Sequence, residues 1–342
     1  MKTLTQANID ILLTGALFYG TGGGGNPERA KQIMRSIAKN KALPSLISSS
    51  ELPSGAICIT GFPVGGLKSD KIPLNVFNKM LKYYRNILKK KISAIVPVEI
   101  GPLSLAVSLQ LASSLRLPLV DADIVGGRSS PEVFLETITL FSIPRTPLVV
   151  FNAQGAYKTL TRTSSYQDEE RFLRSFAADS GGFAYVFGYP LSKKSILVSV
   201  TPGTVSQAIR VGRMIQEGLL ASNLKNIGAE KIYQGTVGAI EPITQQGFAS
   251  KFIDMQNGRQ TARLFAKNEN IILWINKKVA LTCPDLLVLV NNAYVPIFNE
   301  NLRIGMPVIV LGIKSVPLWR TQKGKWLFSP KTFGFPFQPV LL

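Results

Sequence analysis

Apolar and polar positions recur along this chain first with a helical period interleaved with short strands, and later with a strand period alone. In residues 5–18, Ile9, Leu12, Leu13 and Ala16 share one face, which predicts a helix capped by Thr5. A polar stretch from Glu28 predicts a second helix ending near Lys39. Residues 44–55 read as loop and residues 56–60 as a short buried strand, followed by a glycine-rich close-approach segment over 61–66. Phe77, Met80, Leu81, Tyr84, Ile87 and Leu88 form the apolar stripe of a helix over 75–90. Residues 93–98 then read as a strand, 103–115 as a helix and 117–120 as a strand. That spacing is a βαβ unit, so the two strands are expected to be parallel.

Farther on, Ser130 is placed to cap a helix starting at Pro131, and residues 146–152 read as a strand. A polar break rich in Thr, Ser and Lys falls over 154–168. Helical character returns over 169–178, strands are expected at 183–189 and 195–200, and a helix runs to about Gly218. From Lys231 onward strands dominate, at 231–240, 251–255, 271–275, 286–290 and 307–312. The expected form is a small antiparallel sandwich or barrel, with Trp319, Trp326, Phe333, Phe335 and Phe337 sealing it or its contact with the first part. The fold class is therefore α/β: an N-terminal α/β domain with a parallel βαβ unit, plus a C-terminal β-rich α+β domain.

The helical period breaks most sharply at Gly20-Thr21-Gly22-Gly23-Gly24-Gly25-Asn26-Pro27. Four consecutive glycines carry a conformational cost that a close ligand or positive φ angles would explain. Asn26 can cap the next helix with Pro27 at its first turn, leaving amides that favour an anion. The alternative is a tight turn between packed helices. No Gly-Lys-Ser/Thr follows, so a nucleoside triphosphate P-loop is excluded.

The βαβ expectation places chemistry. Ligands of parallel sheets gather at the carboxyl ends of strands. Glu99 and Asp121 lie just past two such ends, with Asp123 two residues on. Clustered carboxylates raise one another's pKa or recruit a cation, as active sites do. The competing reading has them capping helices or pairing with lysines. Arg128 stands in the glycine-rich loop that follows, either beside those acids and a substrate carbonyl or as an ordinary surface arginine. Thr204, in a second small-residue turn at a helix start, is a secondary binding candidate or a plain cap.

Composition narrows the chemistry. Among 342 residues there is no histidine, which removes Ser-His-Asp triads and histidine-ligated metals. Oxygen ligands remain open to a divalent metal such as magnesium, calcium or manganese. Cys58 and Cys283 stand far apart in apolar settings and read as buried thiols of a reducing compartment. Lys and Arg exceed Asp and Glu by 39 to 20, but no long block of like charge appears, so nucleic acid is not the partner this pattern favours. Lys89, Lys90 and Lys91 suit the C-terminus of their helix, and Tyr83 and Tyr84 suit its apolar face. The N-terminus lacks the apolar core of a signal peptide and no run reaches the ~18 apolar residues of a membrane span, which predicts a cytoplasmic chain.

With those residues assembled, the chain resembles a known family. GALFYGTGGGGNP is similar to the N-terminal signature of the S-methyl thiohydantoin desulfurase-like, hydantoinase-related proteins. VEIGPLS, LPLVDADIVGGRSSPE and VTPGTVSQAIRVGR resemble their next blocks, and CPDLLVLV, LRIGMPVIVLG, PLWRT and FGFPFQPV their C-terminal ones, in the same order. The resemblance implies domains over residues 1–165 and 166–342, and a site near Gly22, Gly23, Gly24, Gly25, Asn26, Glu99, Asp121 and Asp123; Thr21, at the start of the loop, joins its candidate binding residues. It implies a small hydantoin- or thiohydantoin-like cyclic amide as substrate class; the leading expectation is a hydrolase in which Glu99 or Asp121 activates water and the glycine-loop amides hold the developing oxyanion, and the alternative is a non-catalytic metabolite-binding subunit with a hydantoinase-like partner protein. Two loops depart from the family pattern: Pro102 follows Gly101, and Ile-Val-Gly-Gly-Arg-Ser-Ser follows Asp123.

Overall fold

A computed structural model describes residues 2–40, 43–65, 72–245 and 248–342. The first part runs β1 (Lys2–Thr3), α1 (Gln6–Tyr19), α2 (Pro27–Lys39), β2 (Ser45–Ile47), β3 (Ile57–Gly65), α3 (Leu74–Leu88), β4 (Ala94–Ile95), α4 (Pro102–Leu115), β5 (Leu119–Val120) and β6 (Ala122–Asp123). It continues with α5 (Thr137–Leu140), β7 (Leu148–Phe151), β8 (Tyr157–Leu160), α6 (Tyr166–Asp179), β9 (Phe183–Ser192), α7 (Lys193–Ser199), β10 (Thr201–Pro202) and α8 (Thr204–Gln216).

These elements build an eight-stranded sheet in the order β1-β2-β5-β4-β3-β9-β7-β8. The expected βαβ unit is β4-α4-β5: Ile95 lies opposite Leu119 in parallel register. Strands β2, β5, β4 and β3 are mutually parallel, whereas β9 pairs antiparallel with both β3 and β7, and β8 antiparallel with β7. Successive residues of β7 show why the strands read as continuous apolar runs. Leu148 and Val150 enter one buried layer and Val149 and Phe151 the other, so both faces are covered. In α3, Tyr84 is buried with its hydroxyl on the Pro147 carbonyl, and Tyr83 packs its ring 4.7 Å from that of Tyr157.

The second part comprises β11 (Ala229–Gln245), β12 (Phe248–Asn257), β13 (Gln260–Lys267), β14 (Glu269–Ile275), β15 (Lys278–Thr282), β16 (Leu286–Val290), β17 (Pro307–Ile313), α9 (Pro317–Arg320) and α10 (Gln322–Leu327). It forms one antiparallel seven-stranded sheet, ordered β15-β14-β13-β12-β11-β17-β16. Instead of a closed sandwich or barrel it is a half-barrel. Its curl brings β14 to β16, where the Asn270 side-chain amide donates to the Leu287 carbonyl at 3.0 Å. Trp319, fully buried, donates its indole N–H to the Val125 carbonyl at 2.5 Å and so ties the tail to the first part, whereas Trp326 is exposed.

Local expectations fail where a side chain, near or distant in sequence, claims a backbone amide. Residues 195–200 are not a strand: the Ser192 hydroxyl accepts the Ser195 amide and starts α7, whose inward residues Ile196 and Ser199 are three apart. No helix starts at Pro131, because Glu99 takes the Ser130 amide at 2.9 Å and Glu170 the Val133 amide at 2.6 Å. The polar break at 154–168 contains β8, the loop at 44–55 contains β2, and β13 and β15 add strands to the second sheet. Residues 61–65 extend β3, while Gly66 lies outside the described residues.

Candidate active site

The glycine loop leaves α1 and is fastened by residues distant in sequence. Thr21 is buried at a φ of 49°, and Gly22, Gly24 and Gly25 have φ of 88°, 76° and 82°. Its carbonyls accept from three directions: Thr21 from the Asn270 amide (2.8 Å), Gly22 from the Asn299 amide (2.9 Å) and Gly24 from the Leu103 amide (2.9 Å). The Gly24 amide donates to Glu269 Oε1 at 2.8 Å. Glycine is required at Gly24 by space as well as φ: a Cβ there would sit 2.5 Å from Ser129 Oγ and 2.6 Å from Gly101 Cα. Asn26 caps α2 by accepting the Arg29 amide, as its sequence position predicts.

Residues Gly22–Gly25 border a cleft of about 100 Å³ between the two sheets' loops. Its apolar walls include Phe62, Val64, Leu103, Phe183 and Phe298. Glu99 lies on its floor at the carboxyl end of β4, where the parallel-sheet rule places it. Ser104 Oγ, in the first turn of α4, donates to Glu99 Oε1 at 2.6 Å, and the Ser130 amide to Oε2 at 2.9 Å. Burial raises the Glu99 pKa, against the pull of these donors and of the nearby Arg128 charge.

Glu269, at the start of β14, faces the same cleft and is just as buried. Its Oε1 holds the Gly24 amide; its Oε2 has no hydrogen-bond partner among the described residues. Burial raises its pKa first, and the charge of Glu99 raises it further. The remaining lining acids are neutralised: Glu132 by Lys267, Glu136 by Arg145 at 2.9 Å, and Glu300 by Lys251 at 2.5 Å. Arg174, also at the rim, pairs with Glu170 at 2.8 Å. Neither Glu99 nor Glu269 has a Lys or Arg within ion-pair distance among the described residues.

The other residues singled out in the sequence lie outside this cleft. Asp121 is at a strand end, yet its carboxylate accepts from Ser206, from the amide at 2.9 Å and the hydroxyl at 2.6 Å, and so caps α8. Asp123 is wholly buried and receives the amides of Val125, Gly126 and Gly127 at 2.8–3.0 Å, with Thr204 beside it. It shapes the turn that leads to Arg128, and burial pushes its pKa up to about 7. Arg128 is neither at the surface nor in the cleft. Buried, it donates to the carbonyls of Ser129 and Pro284 and stacks 4.7 Å from the Phe328 ring centre, joining the two parts. Among the described residues, no three His, Cys, Asp or Glu side chains gather as a metal ion would need. No helix among them is long and apolar enough to cross a membrane.

Sequence reading missed Glu269, Asn270 and Asn299. The local signal is slight: Asn268-Glu269-Asn270 puts three polar residues directly ahead of the apolar run of β14. Their meaning depends on a loop nearly 250 residues away in sequence.

The chain belongs to the S-Me-THD-like family: residues 7–162 match its N-terminal domain and residues 164–340 its C-terminal domain. A crystal structure of a protein from Chromobacterium violaceum has the same fold, with 18% identity and a TM-score of 0.84 over 100% of this chain and 99% of that one. No curated protein matches the sequence.

Proposed function

We propose that the cleft hydrolyses a C–S or C–N bond of a small hydantoin- or thiohydantoin-like ring. The observation that carries this reading is Glu99: a buried carboxylate, its pKa raised by burial, beside a loop of glycine amides in a narrow, apolar-walled cavity. Such a group removes a proton from water near neutral pH. No described residue accepts from the amides of Gly22 and Gly25, which leaves them for negative charge that develops on the ring. For an S-methyl thiohydantoin, the water oxygen bonds to the carbon bearing sulfur and the C–S bond breaks. One water proton ends on the ring nitrogen, the other on the departing methanethiol. Family membership supports a thiohydantoin-related substrate, and the cavity's size favours a small ring over a polymer.

The test is thiol or opened-ring product from a panel of hydantoins and S-methyl thiohydantoins, with and without added magnesium or manganese. Turnover is expected in the wild type and a loss of about 10²–10⁴ in kcat in Glu99→Gln. An unchanged rate in that variant would overturn the role of Glu99. Tight binding without turnover across the panel would favour a metabolite-binding subunit that serves a hydantoinase-like partner.

A further inference from the structure

We propose that Glu269 is the second catalytic carboxylate of the cleft, the proton donor to the leaving group, and that the C-terminal half thereby completes a site begun by the N-terminal half. This rests on the hydrolytic reading above.

Three observations support it. Glu99 and Glu269 are the two cleft carboxylates with no cation at ion-pair distance among the described residues, while Glu132, Glu136 and Glu300 are each paired. Glu269 is fixed by one oxygen alone: Oε1 accepts from Gly24, and Oε2 is buried without a partner, free to carry a proton. Finally, burial and the charge of Glu99 raise the pKa of Glu269, against the pull of the Gly24 amide and the Arg128 charge. Two buried carboxylates lining one cleft, the charge of one disfavouring ionisation of the other, suit a base and an acid, which is the division of labour that acid–base hydrolysis requires.

Glu99 starts ionised and Glu269 protonated. Glu99 takes a proton from water as the oxygen bonds to the ring carbon, and the ring nitrogen holds the negative charge beside the loop amides. That charge collapses back and expels the sulfur, which takes the Glu269 proton and leaves as a thiol. Glu99 is now protonated and Glu269 ionised; transfer of that proton to Glu269 restores the start. Tautomerisation of the ring product moves its hydroxyl proton to nitrogen.

The experiment compares wild type, Glu99→Gln and Glu269→Gln on S-methyl and S-aryl thiohydantoins across pH. Glu269→Gln keeps an oxygen for the Gly24 amide. A proton donor predicts that kcat on the S-methyl substrate falls about 10²–10⁴ with KM little changed. The alkaline limb of the pH profile should vanish, and the S-aryl substrate, whose thiolate leaves unaided, should recover most of the rate. Glu99→Gln should lose the acidic limb and recover nothing. Rescue also separates a folded variant from an unfolded one, which would turn over neither substrate. If wild type is active and Glu269→Gln matches it in rate and profile, Glu269 only clamps the loop and the proposal is overturned. A wild type inactive on the whole panel removes the hydrolytic reading itself, and the donor role with it.

Discussion

Glu99 and Asp121 show how far a strand-end rule carries at the level of single residues. Both lie past the carboxyl ends of parallel strands, and the sequence cannot tell them apart. The structure does: Ser104 and Ser130 hold Glu99 in the cleft, while both oxygens of Asp121 are spent on Ser206. Which way a carboxylate turns depends on the element that packs against it, here α8, and that is a tertiary fact. Asp121→Ala should therefore cost about 1 kcal/mol of stability through loss of a helix cap, while turnover per folded molecule stays at the wild-type level. Urea midpoints and specific activity measured on the same preparation check this. A variant as stable as wild type but inactive would place Asp121 in the chemistry. Glu269 was illegible for the opposite reason: its position between two polar asparagines carries no periodic signal, and its partner Gly24 comes from the far end of the chain.

At the level of elements, α3 was legible because its apolar stripe repeats locally, whereas α4 is buried on nearly every side, and α1 and α8 are locked together by backbone contact. At the crossing of α1 and α8, a Cβ on Gly15 would sit 1.8 Å from the Ala208 carbonyl oxygen, and one on Gly212 would sit 1.9 Å from that of Ile11. The glycine loop begins where α1 ends, so this crossing sets the angle at which the loop enters the cleft. Gly212→Ala should cost about 1–3 kcal/mol by overpacking and lower turnover as the loop shifts. A thermal midpoint and a kcat both equal to wild type would show that the helices simply slide apart. Elements that sequence reading misplaced turn either on a local cap it overlooked or on partners distant in sequence. Ser192 converts an apparent strand into α7, and β13 and β15 become recognisable only once β12 and β14 stand beside them.

For the molecule as a whole, charge and sheet connectivity lead to different expectations. A net charge of +19 suggests an anionic partner, yet the cleft is lined by acids, most of them matched with single Lys or Arg residues. Part of the excess lies in Lys82 and Arg85 on α3 and in Lys89 and Lys90 just past it, none of which lines the cleft. Sequence similarity divides the chain between residues 162 and 164, but the first sheet does not close there. Strand β9, residues 183–192, lies between β3 and β7, and without it those two strands have no common neighbour. A fragment ending at residue 165 should accordingly lack a cooperative thermal transition, whereas one carried past β9 and α8 should show it. A sharp transition in the shorter fragment would mean that β3 and β7 can pair directly.

The placement of β9 also bears on how the protein is made. A ribosome adds roughly 5–20 residues each second, and a segment must clear the exit tunnel before it can pair. Strands β2, β3, β4 and β5 emerge early, but the edge of β3 that will receive β9 waits for more than a hundred further residues. During those seconds the nascent chain presents an open, apolar strand edge of the kind that recruits other chains. Slow decoding in the stretch that encodes residues 120–190 would lengthen that exposure, and a chaperone that shields β3 would shorten it.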